Sequence, residues 1–365
     1  MAQEGNIVEY KCPCCSGAIS FDPGTQKMVC PFCNTELDVQ TVIDFNQENE
    51  DMAGESSFEW DDYGKEKDSW GSDEGLAVYT CSSCAGELIA DSSTQATICP
   101  YCGSPVILSG NLSGVYKPDY VIPFKLGKEQ AKAGLEKFLK GKILLPAEFK
   151  DTNRIESIDP FYVPFWLFDC MADAKIRYRG TKVRTWSDSR YHYTKTSFYS
   201  ILRSGSLSFE KVPADGSTKM DDKYTQSVEP FDYSDLVDFQ MPYLAGYKAE
   251  KYDVTPKEAI PIVNNRIRTS TEQTFSSTVR GYNTVRVDSS KINLITGKTR
   301  YALLPMWILT TKYNDKSYMF AMNAQTGKFV GELPVSKKKA AGLFFGFAAA
   351  FGAVLTAIAL ILGSL

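Results

Sequence analysis

Histidine is almost absent: His192, within "SRYHYTK", is the one histidine among 365 residues. A lone histidine in an aromatic stretch reads as a packed or half-exposed residue rather than a catalytic base. The chain also lacks a Gly-rich phosphate loop, a GxSxG elbow and an HExxH helix, and its Asp and Glu form no paired-carboxylate pattern. These absences argue against an enzyme. Net charge is small, at −4, so the electrostatics of the whole chain name no partner. The opening "MAQEGNIVEYKCP" lacks the basic segment and apolar run of a secretory signal. Its cysteines are therefore expected to stay reduced, which favours metal over disulfides.

Apolar and charged contents, 43% and 23%, are ordinary for a globular protein. The charge is unevenly placed. Residues 42–76 carry twelve acids against two lysines, residues 1–41 are net −3, and the remainder is net +9. The acidic stretch also holds Phe45, Phe58, Trp60, Tyr63 and Trp70. Its expected state is a disordered linker, with folding back onto the protein, or ordering on a partner, as the alternatives.

Ten cysteines are present, and eight of them form a repeat. "YKCPCCSGAISFDPGTQKMVCPFCNTELDV" from Tyr10 aligns without a gap with "YTCSSCAGELIADSSTQATICPYCGSPVIL" from Tyr79, 69 residues on. Cys12, Cys15, Cys30 and Cys33 make one set, and Cys81, Cys84, Cys99 and Cys102 the other. In each, a CxxC, fourteen residues and a second CxxC give the spacing of a four-thiolate zinc site. A CxxC in a tight turn aims two sulfurs at one point, and two such knuckles complete a tetrahedron. The intervening residues read strand, polar turn, strand. Gly17 and Gly86 follow the first knuckle, where a positive φ is expected. A thioredoxin-like redox motif would need one CxxC opening a helix, and rubredoxin-type iron is the rival metal. A closed site of this kind folds its module rather than doing chemistry, because thirty residues bury too little core unaided. Two structural Zn2+ ions are expected. Cys14 falls outside the register and is a spare thiol, and Cys170 in "FWLFDCMADA" reads as a buried apolar residue.

Residues 115–335 read as one α+β region. "YVIPF" is a strand, and the following helix places Ala131, Leu135, Phe138 and Leu139 on one face. Aromatic and β-branched runs from "PFYVPFWLFD" to "YHYTKTSFYSILRSGSLSFEKV" read as consecutive antiparallel strands. Thr255, Pro256 and Glu258 form a capping box opening a second helix, which Pro261 should kink or shorten. The last strands are "RYALLPMWILTTKYN" and "SYMFAMNAQTGKFVGELP", with a turn at Gln325–Gly327. Pro164-Phe165-Trp166-Leu167 is echoed by Pro305-Met306-Trp307-Ile308. "KIRYRGTKVRTWSDSRYHYTK" mixes basic and aromatic residues as nucleic-acid surfaces do, but its preferred reading is a sheet with one solvated cationic face. After Lys337-Lys338-Lys339, residues 340–362 are almost wholly apolar. At 1.5 Å per residue they span about 34 Å, enough for a bilayer core of about 30 Å. The lysines place the bulk of the chain in the cytosol, with three residues emerging beyond the span.

The paired ribbons, "VIPFK" before a helix ending "FLKGKILLP", "YVPFWLFD", "PYLAGYKAEKYDV" and the late strands running into an apolar span together resemble a bacterial family, mostly of Gram-positive lineages: the TFIIB-type zinc-ribbon-containing proteins. The resemblance covers nearly the whole chain. Members are often labelled helicase-like or phage replication proteins; this chain has no Walker motif, so such a label reflects ribbon similarity alone. Some relatives stand beside phage-shock-protein-A homologues and anchor envelope-stress complexes with flotillin-like partners, which implies protein partners of that kind here. The expected fold is two small β zinc ribbons (8–40 and 77–110) around an acidic-aromatic linker (41–76). An α+β antiparallel-sheet domain (115–335) and a C-terminal transmembrane helix (340–362) follow. The expected function is a non-enzymatic adaptor or scaffold anchored by its tail in the cell membrane. Nucleic-acid binding by the ribbons is the alternative, weakened by acidic neighbours that repel phosphates.

Overall fold

The structure is a computed structural model. It describes residues 10–52, 56–64, 76–91, 99, 101–102, 104, 106–110, 116–146, 158–220, 222–244, 247–313 and 316–363. In chain order the elements are β1 (Ser20–Asp22), β2 (Lys27–Val29), β3 (Glu36–Leu37), α1 (Val39–Met52), β4 (Leu76–Cys81), β5 (Glu87–Asp91), β6 (Val106–Gly110), β7 (Tyr120–Val121) and α2 (Lys128–Leu139). Then come β8 (Asp159–Ser187), β9 (His192–Asp215), α3 (Asp222–Val228), β10 (Val237–Asp238), β11 (Lys248–Glu250), α4 (Pro256–Ser277), β12 (Thr284–Tyr313), β13 (Lys316–Asn323), β14 (Phe329–Gly331) and α5 (Lys337–Gly363).

Two compact units form, each discontinuous in sequence. One comprises Met1–Asp62, Phe168–Val212 and Ile260–Thr299; the other comprises Tyr63–Leu167, Pro213–Ala259 and Arg300–Leu365. The chain passes between them within β8, β9, β12 and α4. The region read as one α+β stretch is therefore shared between both.

In the first unit, β1, β2 and β3 make a small antiparallel sheet. Cys12, Ile19, Met28 and Cys30 pack with Val42 of α1 in its core. Most of that helix lies inside the stretch read as a disordered linker. It is held by Arg177 of β8, whose guanidinium sits 4.3 Å from the Phe45 ring centroid, 3.1 Å from the Glu48 carboxylate, and bonds the Asn49 side chain. Residues 56–61 are pinned as well. Leu294 N–H donates to Ser57 O at 2.9 Å, Asp61 N–H to Gly297 O at 3.1 Å, and Trp60 Nε1 to Asn264 Oδ1 at 2.9 Å. A Cβ on Gly297 would meet Glu59 O at 2.6 Å, so this approach needs glycine. The linker reading is corrected over these residues: Phe45 and Trp60 pack half-buried against Arg177 and Phe168 of β8, Phe58 against Arg268 of α4, and the backbone groups find partners, which repays the ordering entropy. Trp70 lies outside the described residues.

In the second unit the strand order is β10-β7-β12-β8-β11-β5-β4-β6, with β13 on β12 and β14 on β13. The sheet is mixed, which corrects the antiparallel expectation. Tyr120–Val121 run parallel to Ala302–Leu303, and Lys248–Ala249 parallel to Phe161–Tyr162. Those partners are far apart in sequence, so no tight turn dictates their direction. Alternation along the strands builds two cores. Val163, Phe165, Leu167, Leu304, Met306 and Ile308 pack with α3 and the second ribbon. Trp307 and Leu309 pack with Ala131, Leu135 and Leu139 of α2. The echoed Pro164 and Pro305 runs thus sit on neighbouring strands, β8 and β12.

Two further expectations resolve on α4 and β8. Thr255 N–H donates to Glu258 Oε2 at 2.7 Å and Glu258 N–H to Thr255 Oγ1 at 3.4 Å, a capping box. The helix then runs unbroken through Pro261 to Ser277. Packing of Val263 and Ile267, both fully buried, outweighs one missing backbone bond on an exposed turn. The strands read separately over 160–186 are one continuous strand, β8.

Candidate metal centres

Each cysteine tetrad converges. In both sets the four sulfurs lie within 4.8 Å of one another. The closest pairs are Cys12–Cys33 at 3.7 Å, Cys15–Cys30 at 3.4 Å, Cys81–Cys102 at 3.4 Å and Cys84–Cys99 at 3.6 Å. A tetrahedron of sulfurs 2.3 Å from a metal has edges of about 3.8 Å. The donor set therefore fits a four-coordinate thiophilic cation with little adjustment. Cys14 stands outside the tetrad and offers its backbone N–H to Cys12 Sγ at 3.4 Å. Cys170 is buried in β8 as expected, and burial pushes its thiol up to about 11.

The two sites are built by the same backbone device. Ser16 N–H donates to Cys12 O at 2.8 Å and Cys12 N–H to Gly17 O at 2.8 Å; Ala85 and Gly86 do the same for Cys81 at 3.0 and 2.9 Å. The left-handed residue is Ser16 (φ 62°) or Ala85 (φ 54°), one position before the expected Gly17 and Gly86. Gly17 has a different role: a Cβ there would lie 2.6 Å from the Phe32 ring, which would have to move aside. The second knuckle repeats the device, with Cys30 N–H to Thr35 O at 3.0 Å and Cys99 N–H to Ser104 O at 2.8 Å.

Thr35 and Ser104 are contributors that the cysteine pattern did not single out. They too stand 69 residues apart, so the repeat itself held the signal. Burial pushes the Cys33 thiol up, but the Thr35 hydroxyl and amide, with neighbouring thiols, bring it down to about 6. Cys102 reaches about 6 in the same way through Ser104. Cys12 moves oppositely: burial raises it to about 12. Burial raises Cys99 too. Each tetrad therefore pairs an easily ionised thiol with one that holds its proton. A divalent cation would displace those protons and stabilise all four thiolates. Neither site has room in its coordination shell for a substrate once four sulfurs are bound.

The chain is 35% identical over 357 residues to the Bacillus subtilis (strain 168) protein YdjG, itself described as uncharacterized, covering 98% of this chain and 99% of that protein. It belongs to the YdjG family. No family model and no solved structure matches it. Within this member of the family, His192 is exposed at the start of β9, its Nδ1 2.5 Å from Ser187 Oγ.

The environments of the two sites differ. Cys15 and Cys33 are exposed, whereas the second tetrad abuts the large core of its unit. There Tyr101, in the second knuckle, donates its hydroxyl to the buried carboxyl group of Glu250, which also accepts from Ser217. Lys219 Nζ donates to Cys84 O at 3.3 Å. The remaining feature is α5. It is long and apolar enough to cross a bilayer, and none of the stretch Lys337–Thr356 is buried in the protein. Its first turn is tied down by Ser336 N–H to Leu144 O at 2.8 Å and Lys339 Nζ to Leu145 O at 2.7 Å.

Proposed function

We propose that the protein is a non-enzymatic, membrane-anchored adaptor whose two ribbons, of the TFIIB type, each hold a structural zinc ion and offer binding surfaces to cytosolic proteins. The observation that carries this reading is the pairing of two closed four-thiolate sites with a long, unburied apolar helix. Closed sites supply fold rather than chemistry. An apolar face with no protein against it needs lipid. The three lysines before the span favour a cytosolic bulk. Partners are protein surfaces, with envelope-stress assemblies of the flotillin or phage-shock type as the first class to examine.

Elemental analysis tests the metal directly: about two zinc ions per chain are expected from the two tetrads, and stoichiometric iron would replace zinc in the reading. Purification from membranes, with the ribbons intact and with Cys12→Ser, tests the adaptor role. Partners that depend on the intact ribbon support it. A chain that floats free of membranes, or that selects a nucleic-acid sequence at physiological salt, overturns it.

A further inference from the structure

The hairpin of β8 and β9 carries a face that the adaptor reading leaves unassigned. From Arg179 to Arg203 stand six Lys or Arg and one acid, Asp188; Arg179 is paired with Asp288 of β12 at 3.0 Å, which leaves five cations on the hairpin. Asp188 is committed to the turn: its carboxylate accepts the N–H groups of Arg190 at 2.8 Å and Tyr191 at 2.7 Å, and the Tyr193 hydroxyl at 2.9 Å. These bonds hold its carboxyl below the usual range, so it stays charged and offsets one of these cations, leaving the hairpin net positive. Among the described residues, no ion pair joins Arg184 or Lys195 to a carboxylate.

Side chains alternate across a strand, so Lys182, Arg184 and Trp186 share one face of β8, and Tyr193 and Lys195 share one face of β9. Trp186 stacks on Tyr193, with centroids 5.4 Å apart and planes at 13°, so both sets lie on the same side of the hairpin. Trp186 is nonetheless 50% exposed. The opposite face is not purely polar either: Val183 and Phe198, of the other parity, are also exposed.

We propose that this hairpin tip seats in an anionic lipid surface. Trp and Tyr satisfy an apolar body and a polar edge together at the bilayer interface, and Lys and Arg are drawn to anionic headgroups. A single nucleic-acid strand stacked on Trp186 and Tyr193 would use one face only. Immersion accounts for exposed apolar side chains on both. The inference rests on the reading of α5 as a membrane span, which keeps the rest of the chain at high local lipid concentration.

The full chain is reconstituted into vesicles of phosphatidylcholine alone, or of equal parts phosphatidylcholine and phosphatidylglycerol, with brominated acyl chains as quenchers of tryptophan emission. Stronger quenching is expected in the anionic vesicles, weakened by salt. W186F should lose most of the difference, and R184E/K195E should abolish it with metal content unchanged. Equal quenching in both vesicle types, or no change in W186F, overturns the proposal. So does quenching of Trp186 by oligouridylate that lipid does not reproduce, which would assign the face to nucleic acid. Flotation after carbonate extraction reports α5 alone, so failure of the span and failure of the hairpin are read separately.

Discussion

The two ribbons share thirty aligned positions and the same knuckle hydrogen bonds, yet they stand in different surroundings. Ribbon 1 is a three-stranded sheet of its own, with a core of a few residues closed by α1. Ribbon 2 is stitched into the large sheet: β5 pairs with β4 on one side and with β11 on the other, through Ile89–Ala249 and Leu88–Glu250. Phe32 and Tyr101 occupy the same place in the repeat. Phe32 is 73% exposed, while Tyr101 is 8% exposed and bonds a buried carboxyl group. A repeated motif thus specifies a metal geometry and leaves open how much of the fold depends on the metal. Ribbon 1 has little else to hold it; ribbon 2 has a core.

The largest test of that contrast is metal removal. Metal-linked folding of a small site is worth about 10 kcal/mol or more. Cys12→Ser or chelation should therefore abolish hydrogen-exchange protection from Lys11 to Leu37. Glu87–Asp91 should keep much of its protection after Cys81→Ser, because β11 still pairs with it. Equal loss in both ribbons would erase the distinction.

Next in size is the pH response around ribbon 2. Burial raises the Glu250 carboxyl from 4.5 to about 8, against the hydrogen bonds from Ser217 and Tyr101. A carboxyl raised on folding stabilises the fold while it is protonated. That contribution is complete below about 4.5 and is lost as pH rises through about 8; a shift of this size corresponds to roughly 5 kcal/mol. The unit holding ribbon 2 should unfold more easily as pH climbs through this window. E250Q, which cannot ionise, should flatten the slope in thermal melts; an unchanged slope would mean that another group carries it.

A smaller effect is expected from the clamp on α1. Arg177 is 1% exposed, and its removal leaves both a gap and an unpartnered Phe45 face. R177A should cost about 3 kcal/mol locally, seen as faster exchange along α1 and weaker retention of metal by ribbon 1, with ribbon 2 unaffected. Smallest is the exchange at the aligned aromatic. Y101F leaves Glu250 short of one donor and should cost about 1–3 kcal/mol. F32Y adds a hydroxyl at an exposed site and should stay within about 0.5 kcal/mol. Similar costs for the two substitutions would show that the environments are more alike than their burial implies.

Much of the candidate site is legible in the residues themselves. Eight cysteines at a fixed spacing, repeated once, leave few geometries other than paired tetrads, and Cys14 and Cys170 are separable by register and context. The Thr255–Glu258 cap and the turn before Gly327 rest on local chemistry, and both form as expected. The acidic stretch misleads because charge and Gly/Ser content describe a segment's own tendency to fold, not the sheet edge waiting for it. Ser57 and Asp61 find backbone partners more than 200 residues away. Pro261 misleads for a related reason: a helix terminus is decided by which face is buried, and Val263 and Ile267 lie beyond the proline.

By itself, then, the sequence determined the features carried by local spacing: the two tetrads, the capped helix, the amphipathic α2 and the apolar run of α5. Spacing suffices there because the interacting groups are neighbours in the chain, or are brought together by one short hairpin. Tertiary structure alone decided the parallel pairings in the sheet, the docking of residues 56–61, the division into two interleaved units and the unequal burial of the ribbons. Each of these depends on a partner dozens to hundreds of residues away, and the free energy that selects it comes from burial shared between both partners, which neither segment encodes alone.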